Sequence, residues 1–188
     1  MLNAARYVVK TGVQWDYLPH EYPPADIVKA QLKRWIDRGC FEALVHDLRE
    51  LLRLQHGKDA QPSAVILDSR FAISTPESGA RAAFSRHKAK SGSKVHAAVD
   101  TMGSLLTLVI TAGNVDDREP VDALCEAVQT LTGEQVTTAF VDGGYLGGSA
   151  PEAAEQHDIE LIVVRRPEAV KGLCCCPDGG WWSARLRG

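Results

Sequence analysis

Along the first 56 residues apolar side chains recur every three or four positions. LNAARYVVK carries Leu2, Tyr7, Val8 and Val9 up to a break at Gly12. After an aromatic turn, VQWDYLPHEYPP, the segments DIVKAQLKRWIDRG and FEALVHDLRELLRL alternate apolar and charged residues at the helical period. Ile27, Leu32, Trp35 and Ile36 fall near one face. Gly39 is the expected stop, because glycine readily takes the left-handed conformation that ends many helices. Pro23 and Pro24 sit where a first helical turn tolerates proline. HGKDAQPS, residues 56–63, is polar and contains Gly and Pro, which marks a linker.

Beyond residue 63 the period changes. AVILDSR, SKVHAAVD and LLTLVITAG predict three consecutive strands, the last two joined by a TMGS turn. Residues 117–131 predict an amphipathic helix through Val121, Leu124, Cys125 and Val128. TTAFVDGGY predicts a fourth strand, PEAAEQH a short helix and IELIVV a fifth strand. Three strands followed by helix, strand, helix, strand is an α/β pattern built on one mixed sheet. The expected organisation is a helical N-terminal domain over 1–56, a linker over 57–63, an α/β domain over 64–172 and a distinct tail over 173–188.

Composition narrows the classes. With 188 residues, 45% hydrophobic and 24% charged, the chain has the make-up of an ordinary soluble protein with one core and a small appendage. No apolar run approaches the ~20 residues that cross a bilayer. Early Arg6 and Lys10, without a long apolar stretch, argue against a secretory leader, so the cytoplasm is the expected location. Five cysteines, three of them contiguous, do not make a disulfide framework. A net charge of −3 gives no global attraction to nucleic acid and shifts attention to local charge.

Two aspartates end buried-looking strands: Asp68 in VILDSR and Asp142 in AFVDGGY. Carboxylates held rigidly at a sheet edge supply the oxygen ligands that hard divalent cations prefer. A metal pair there clamps the attacking and leaving oxygens of a phosphodiester. The plainer reading of either aspartate alone is a turn or helix cap. Between them lies RAAFSRHKAKSGSKVH, with Arg81, Arg86, Lys88, Lys90 and Lys94 and no acid between Glu77 and Asp100. Such a cluster suits a phosphate backbone, and a solvated hairpin arm explains it equally well. Asp116, Asp117 and Glu119 read as favourable charges at a helix N-terminus. Lys29, Lys33, Arg34 and Arg38 suit either DNA contact or helix packing. His20, His46, His56 and His157 are scattered and read as structural or exposed.

Taken in order, VILDSR, STPESGARAAFSRHKAKSGSKVHAAVDTMGSLL, TAGNVDDREP and AFVDGGYLGG resemble the DDE transposases of bacterial insertion sequences, most closely the insertion sequence 5 group. VKTGVQWDYLPHEYPP and LKRWIDRGCFEALVHDL resemble that group's helical N-terminal domain, so the likeness spans residues 3–173. The resemblance implies a ribonuclease H-like catalytic fold and two Mg²⁺ (or Mn²⁺) ions held by Asp, Asp and Glu. It implies hydrolysis at element ends and strand transfer by the freed 3′-hydroxyl. The partners it implies are double-stranded DNA, as terminal inverted repeats and target, and a second copy or the full-length transposase. Asp68 matches the first acid and Asp142 the second, as catalytic and metal-binding residues. The third acid belongs on a helix soon after the fifth strand, in a stretch like LLPRRWVVERSFAW. No such stretch occurs here, and Glu168 comes too early. The expectation is a transposase by family with weak metal binding and defective catalysis. The alternative is a non-catalytic product that binds DNA or inhibits transposase. A phosphatase of the paired DxD type is disfavoured, because the first acid lies in DSR.

The tail, LCCCPDGGWWSARLRG, accounts for the missing acid. Read one base out of register, each Cys-Cys junction gives only TTG or CTG, leucine, and Trp181-Trp182 gives only GTG, valine. Trp182-Ser183 gives GAG, glutamate, if the serine codon is AGC or AGT. With permitted third bases elsewhere, CCCPDGGWWSARLRG becomes LLLPRRWVVERSFAW. A zinc or redox site is the competing account. Three adjacent cysteines converge poorly on one tetrahedral ion, and no CxxC spacing or nearby His pair completes them. A one-base frameshift near Leu173 is therefore the prediction. Sequencing the DNA from codon 170 onward should show codons that spell the family stretch in the neighbouring frame; codons incompatible with that reading would refute it.

Overall fold

The computed structural model describes residues 1–74, 82–86, 88–145 and 147–164. The tail and Glu168 therefore lie outside the described residues, as do Arg81 and His87 of the basic stretch. Packing divides the chain into two compact units, Met1–Leu48 and the part from Arg49 onward.

The first unit is helical, as its period predicts. Helix α1, Leu2–Thr11, stops at Gly12, whose φ of 66° turns the backbone so that its N–H donates to the Val8 carbonyl at 2.8 Å. A 3₁₀ turn at Trp15–Tyr17 follows, and α2, Ala25–Asp37, starts directly after Pro24. The Tyr7 and Tyr22 rings pack with centroids 5.5 Å apart, fastening the returning chain to α1. Ala4, Ala5 and Val28 are buried. Gly39, with φ 64°, separates α2 from α3, Cys40–Gln55.

Helix α3 inverts the usual rule. Leu44, Leu48, Leu51, Leu52 and Leu54 are exposed, whereas Arg49 and Arg53 are buried. The arginines go inward because the segment after the helix offers them acceptors. Arg53 Nε donates to the Asp59 carbonyl at 2.7 Å and Nη2 to that of Gln61 at 3.3 Å. Arg49 Nη2 donates to Gln61 Oε1 at 3.1 Å. The polar stretch expected as a linker is thus pinned to the end of α3, and the division between units falls inside this helix rather than after residue 56.

Among the described residues the second unit holds six strands in one sheet. Strand β1 (Ala64–Ile73) pairs antiparallel with β3 (Lys90–Asp100) along one edge and parallel with β5 (Thr138–Val141) along the other. β5 pairs parallel with β6 (Glu160–Val163). The outer edge of β3 is shared: β4 (Leu105–Ala112) takes Ser93–Val99, with a bulge at Ala98/Val99, and short β2 (Ala83–Ser85) takes 90–92. Antiparallel β1, β3 and β4 followed by parallel β5 and β6 is a ribonuclease H-like arrangement, preceded by the helical unit. The five expected strands are present. β2, inside the basic stretch, is additional.

Helices α4 (Val121–Thr132) and α5 (Ala150–Glu155) cover one face of the sheet. Val121, Leu124, Cys125 and Val128 of α4 pack with Val65, Leu67, Ala98, Ala139 and Val141 in a single core. Each fully buried aliphatic side chain contributes about 1.5–3 kcal/mol relative to exposure. Burial, with the Asp122 charge, pushes the Cys125 thiol up to about 12, which makes it a core residue rather than a reactive one. Side chains alternate along a strand, so the opposite face carries Ile66 and Asp68 of β1, and Phe140 and then Asp142 of the β5 line. Where β2, β3 and β4 meet, backbones press together under the Phe71 ring. A Cβ at Gly92 would collide with the Ala72 carbonyl, and one at Gly113 with that of Gly92.

A buried ion pair locks the β3–β4 hairpin to α3. Arg53 Nη1 lies 3.1 Å from Asp100 Oδ2, the two side chains being 7% and 0% exposed. Asp100 Oδ1 accepts the N–H groups of Met102 and Ser104 at 2.9 and 2.8 Å, which builds the turn. Removing one member of such a pair strands the other, so Arg53→Ala or Asp100→Ala should each cost about 3–5 kcal/mol in urea denaturation. Losses below ~1 kcal/mol for both single variants would show that the pair does not hold the hairpin.

Candidate active site

Parallel pairing brings the two acids together, with Asp68 inside β1 rather than at a strand end as expected and Asp142 directly after β5. Ile66 sits opposite Phe140 in the β1–β5 register, and Asp68 and Asp142 each follow two residues later at the same end of the sheet. Asp68 Oδ1 accepts the N–H of Ser69 at 2.8 Å. Asp142 Oδ1 accepts the N–H of Gly144 at 2.9 Å, in a 3₁₀ turn over Gly143–Tyr145. That turn favours glycine, since a Cβ on Gly144 would lie 3.0 Å from Asp142 Oδ1.

Electrostatics reflect the crowding. Burial pushes the Asp68 carboxyl above its usual 3.8, and the negative charges of Asp142 and Asp117 push the same way, against the Ser69 N–H. Tyr145 is buried, and its phenol is raised by that burial and by the charges of Asp117, Asp68 and Asp142.

Asp117 does not serve a helix N-terminus, as its place in the sequence suggests. Helix α4 instead begins at Val121, and Asp117 turns to the sheet, its Oδ1 3.1 Å from Lys94 Nζ. Lys94 also donates to the Val115 carbonyl at 2.7 Å. His96, fully buried, lies with Nδ1 4.0 Å from Asp117 Oδ1 and Nε2 2.9 Å from Thr111 Oγ1. Burial lowers the His96 pKa; Asp117 opposes and Lys94 reinforces that shift. Asp116 Oδ1 accepts the Arg118 N–H at 3.0 Å, and Glu119 Oε1 accepts the Asp116 N–H at 3.3 Å, so these acids shape the loop before α4.

The basic residues separate into two groups. Arg86, Lys88 and Lys90 are exposed on and beside β2 and at the start of β3. Lys94 is half-buried and committed to Asp117. On α2, Lys29 pairs with Asp26 at 3.5 Å and Lys33 with Asp37 at 2.7 Å, while Arg34 donates to the Ala30 carbonyl. These contacts stay within one helix. His56 bonds the Leu52 carbonyl, and His157 meets Asp122 at 2.9 Å, in keeping with structural roles.

Two carboxylates, Asp68 half-buried and Asp142 exposed, suit Mg²⁺ or Mn²⁺ in the kind of donor they offer. The donor count falls short, since no group of three His, Cys, Asp or Glu able to hold a metal occurs among the described residues. The residues that sequence reasoning does not join to the site are Asp117, Arg118 and Tyr145. The signal for the first two is the DDR run before α4, whose consecutive charges exceed what one helix N-terminus uses.

Among the described residues no helix is long and apolar enough to cross a membrane. No curated protein matches the chain. The Mos1 transposase paired-end complex with left transposon end is similar at 12% identity and a TM-score of 0.37, over 85% of this chain and 57% of that one. The piggyBac transposase synaptic complex with hairpin DNA is similar at 13% identity and a TM-score of 0.34, over 58% of this chain and 24% of that one. This chain therefore spans little more than half the length of the first of these, and less of the second. The family model of the transposase DDE domain matches residues 59–170, and a model of transposases of the IS4/5 family matches residues 1–45. With more than half its length inside the first model and its helical start inside the second, the chain belongs to the DDE transposases of the IS4/5 group.

Proposed function

We propose that Asp68 and Asp142 are two of the three acids of a DNA strand-transfer centre, and that this chain, lacking the third, is catalytically defective. The observation that carries the reading is two carboxylates on neighbouring parallel strands, Asp68 within β1 and Asp142 just after β5, inside the transposase segment. Burial, reinforced by the Asp142 and Asp117 charges, disfavours the charged Asp68 carboxylate, and a bound cation would offset that cost. Divalent ions bound there would neutralise charge on the attacking and leaving oxygens of the phosphodiester. Ser69 and Gly144 N–H groups orient the carboxylates, while buried Tyr145 and the core beneath it keep water from the sheet side. Exposed Arg86, Lys88 and Lys90 line the path of the DNA backbone, and the cytoplasm, where the chromosome lies, is the proposed compartment.

Purified chain with element ends and Mg²⁺ or Mn²⁺ should give no strand-transfer product, and clear transfer would refute the defect. DNA binding without catalysis is the second reading, favoured by the exposure of those three cations. In gel shifts across a salt series, replacing Lys88 and Lys90 together by Ala should make the log–log salt slope shallower by about two, near 0.9 for each phosphate no longer neutralised. An unchanged slope would remove this arm from the DNA interface.

The raised Asp68 pKa predicts a stability trade. Above the unfolded value of 3.8 and up through its higher folded value, the native state binds more protons than the unfolded chain, so stability falls as pH rises. Asp68→Asn should therefore raise the melting temperature at neutral pH in chelator, with the gain vanishing below pH ~3.8. A variant less stable than the parent at neutral pH would contradict the crowding.

A further inference from the structure

We propose that Arg118 is a positioning residue for Asp142, acting through the backbone of Gly144. Arg118 Nε donates to the Gly144 carbonyl at 3.3 Å, while the N–H of the same glycine holds Asp142 Oδ1 at 2.9 Å. One residue thus receives the arginine on its acceptor and grips the acid with its donor. Fixing the carbonyl limits rotation of Gly144, which has no side chain of its own to restrain it. The guanidinium is seated from a second side. Gly148, at φ 69°, lies so near that a Cβ there would stand 3.2 Å from Arg118 Cδ and 3.3 Å from Nη1.

Arg118 is itself anchored. Asp116 Oδ1 holds its N–H at 3.0 Å and lies 3.4 Å from its Nε. The neighbouring Asp117 is tied by Lys94 to β3, and Lys94 is the register partner of Phe71, three residues beyond Asp68 on β1. Residues 116–118 therefore bridge the strand beside the first acid to the turn that carries the second, and set their separation. This inference rests on the proposed metal-binding role of the acid pair.

The sign of the effect separates positioning from charge. A cation near two carboxylates repels a divalent ion, so losing the Arg118 charge alone should strengthen metal binding. Losing the restraint should weaken it. Arg118→Met removes both charge and donor, whereas Arg118→Gln keeps an N–H donor near the position of Nε. Mn²⁺ binding followed by electron paramagnetic resonance should weaken by about fivefold for Arg118→Met and stay within about twofold of the parent for Arg118→Gln. Independently of metal, hydrogen exchange at the Gly144 amide should speed up in Arg118→Met and not in Arg118→Gln. Arg118 is 38% exposed, so both variants should fold, and circular dichroism checks this. Unchanged Gly144 exchange, or Mn²⁺ binding in Arg118→Met as tight as in the parent, overturns the positioning role alone. If Asp68→Asn and Asp142→Asn leave Mn²⁺ binding unchanged, the metal-site reading fails and this inference with it.

Discussion

The parallel register between β1 and β5 is the constraint on which the site depends. Three pairs, Ala64 with Thr138, Val65 with Ala139 and Ile66 with Phe140, decide which residues of β1 and of the chain leaving β5 stand side by side on one face. A slip of one residue would send Asp142 to the face packed by α4, because side chains alternate. The slip is resisted by the core. Ala139 and Val141 interlock with Val65, Leu67 and the apolar side of α4. Hydrophobic packing on one face thus specifies polar chemistry on the other.

The elements are legible in the sequence because their periods are clean. Five strands, the helices of the first unit and α4 follow from apolar spacing, and both acids are visible as charges ending apolar runs. What escapes are features set by tertiary acceptors. Arg49 and Arg53 look like a solvated face until residues 59–61 and Asp100 present carbonyls and a carboxylate to them. The leucines of α3, spaced at the helical period, are exposed. Lys94 reads as one more cation of a basic arm, but its partner Asp117 stands 23 positions away, beyond any local pattern. The same partnership draws Asp117 off the helix start that its sequence position suggests.

Function and stability pull apart at the acid pair. A soluble domain with no ligand would be better served by neutral side chains where Asp68 and Asp142 meet. The surrounding structure tolerates the charges by giving each carboxylate one backbone donor and by keeping nearby cations occupied. Lys94 is held by Asp117 rather than delivered to Asp68, and Arg118 addresses a carbonyl rather than Asp142 itself.

The strands that deliver the acids are remote in sequence. Thr137 reaches the Ser63 carbonyl across a separation of 74 residues, at the foot of the β1–β5 pairing. The β3–β4 hairpin, by contrast, closes over a short turn at Thr101–Ser104. Chain entropy makes the long closure the costlier one, so local hairpin and helix contacts form before it is rewarded. The meeting of Asp68 with Asp142 thus rests on the long-range part of the fold. The acid pair therefore exists only once the polypeptide between its two members is already in place.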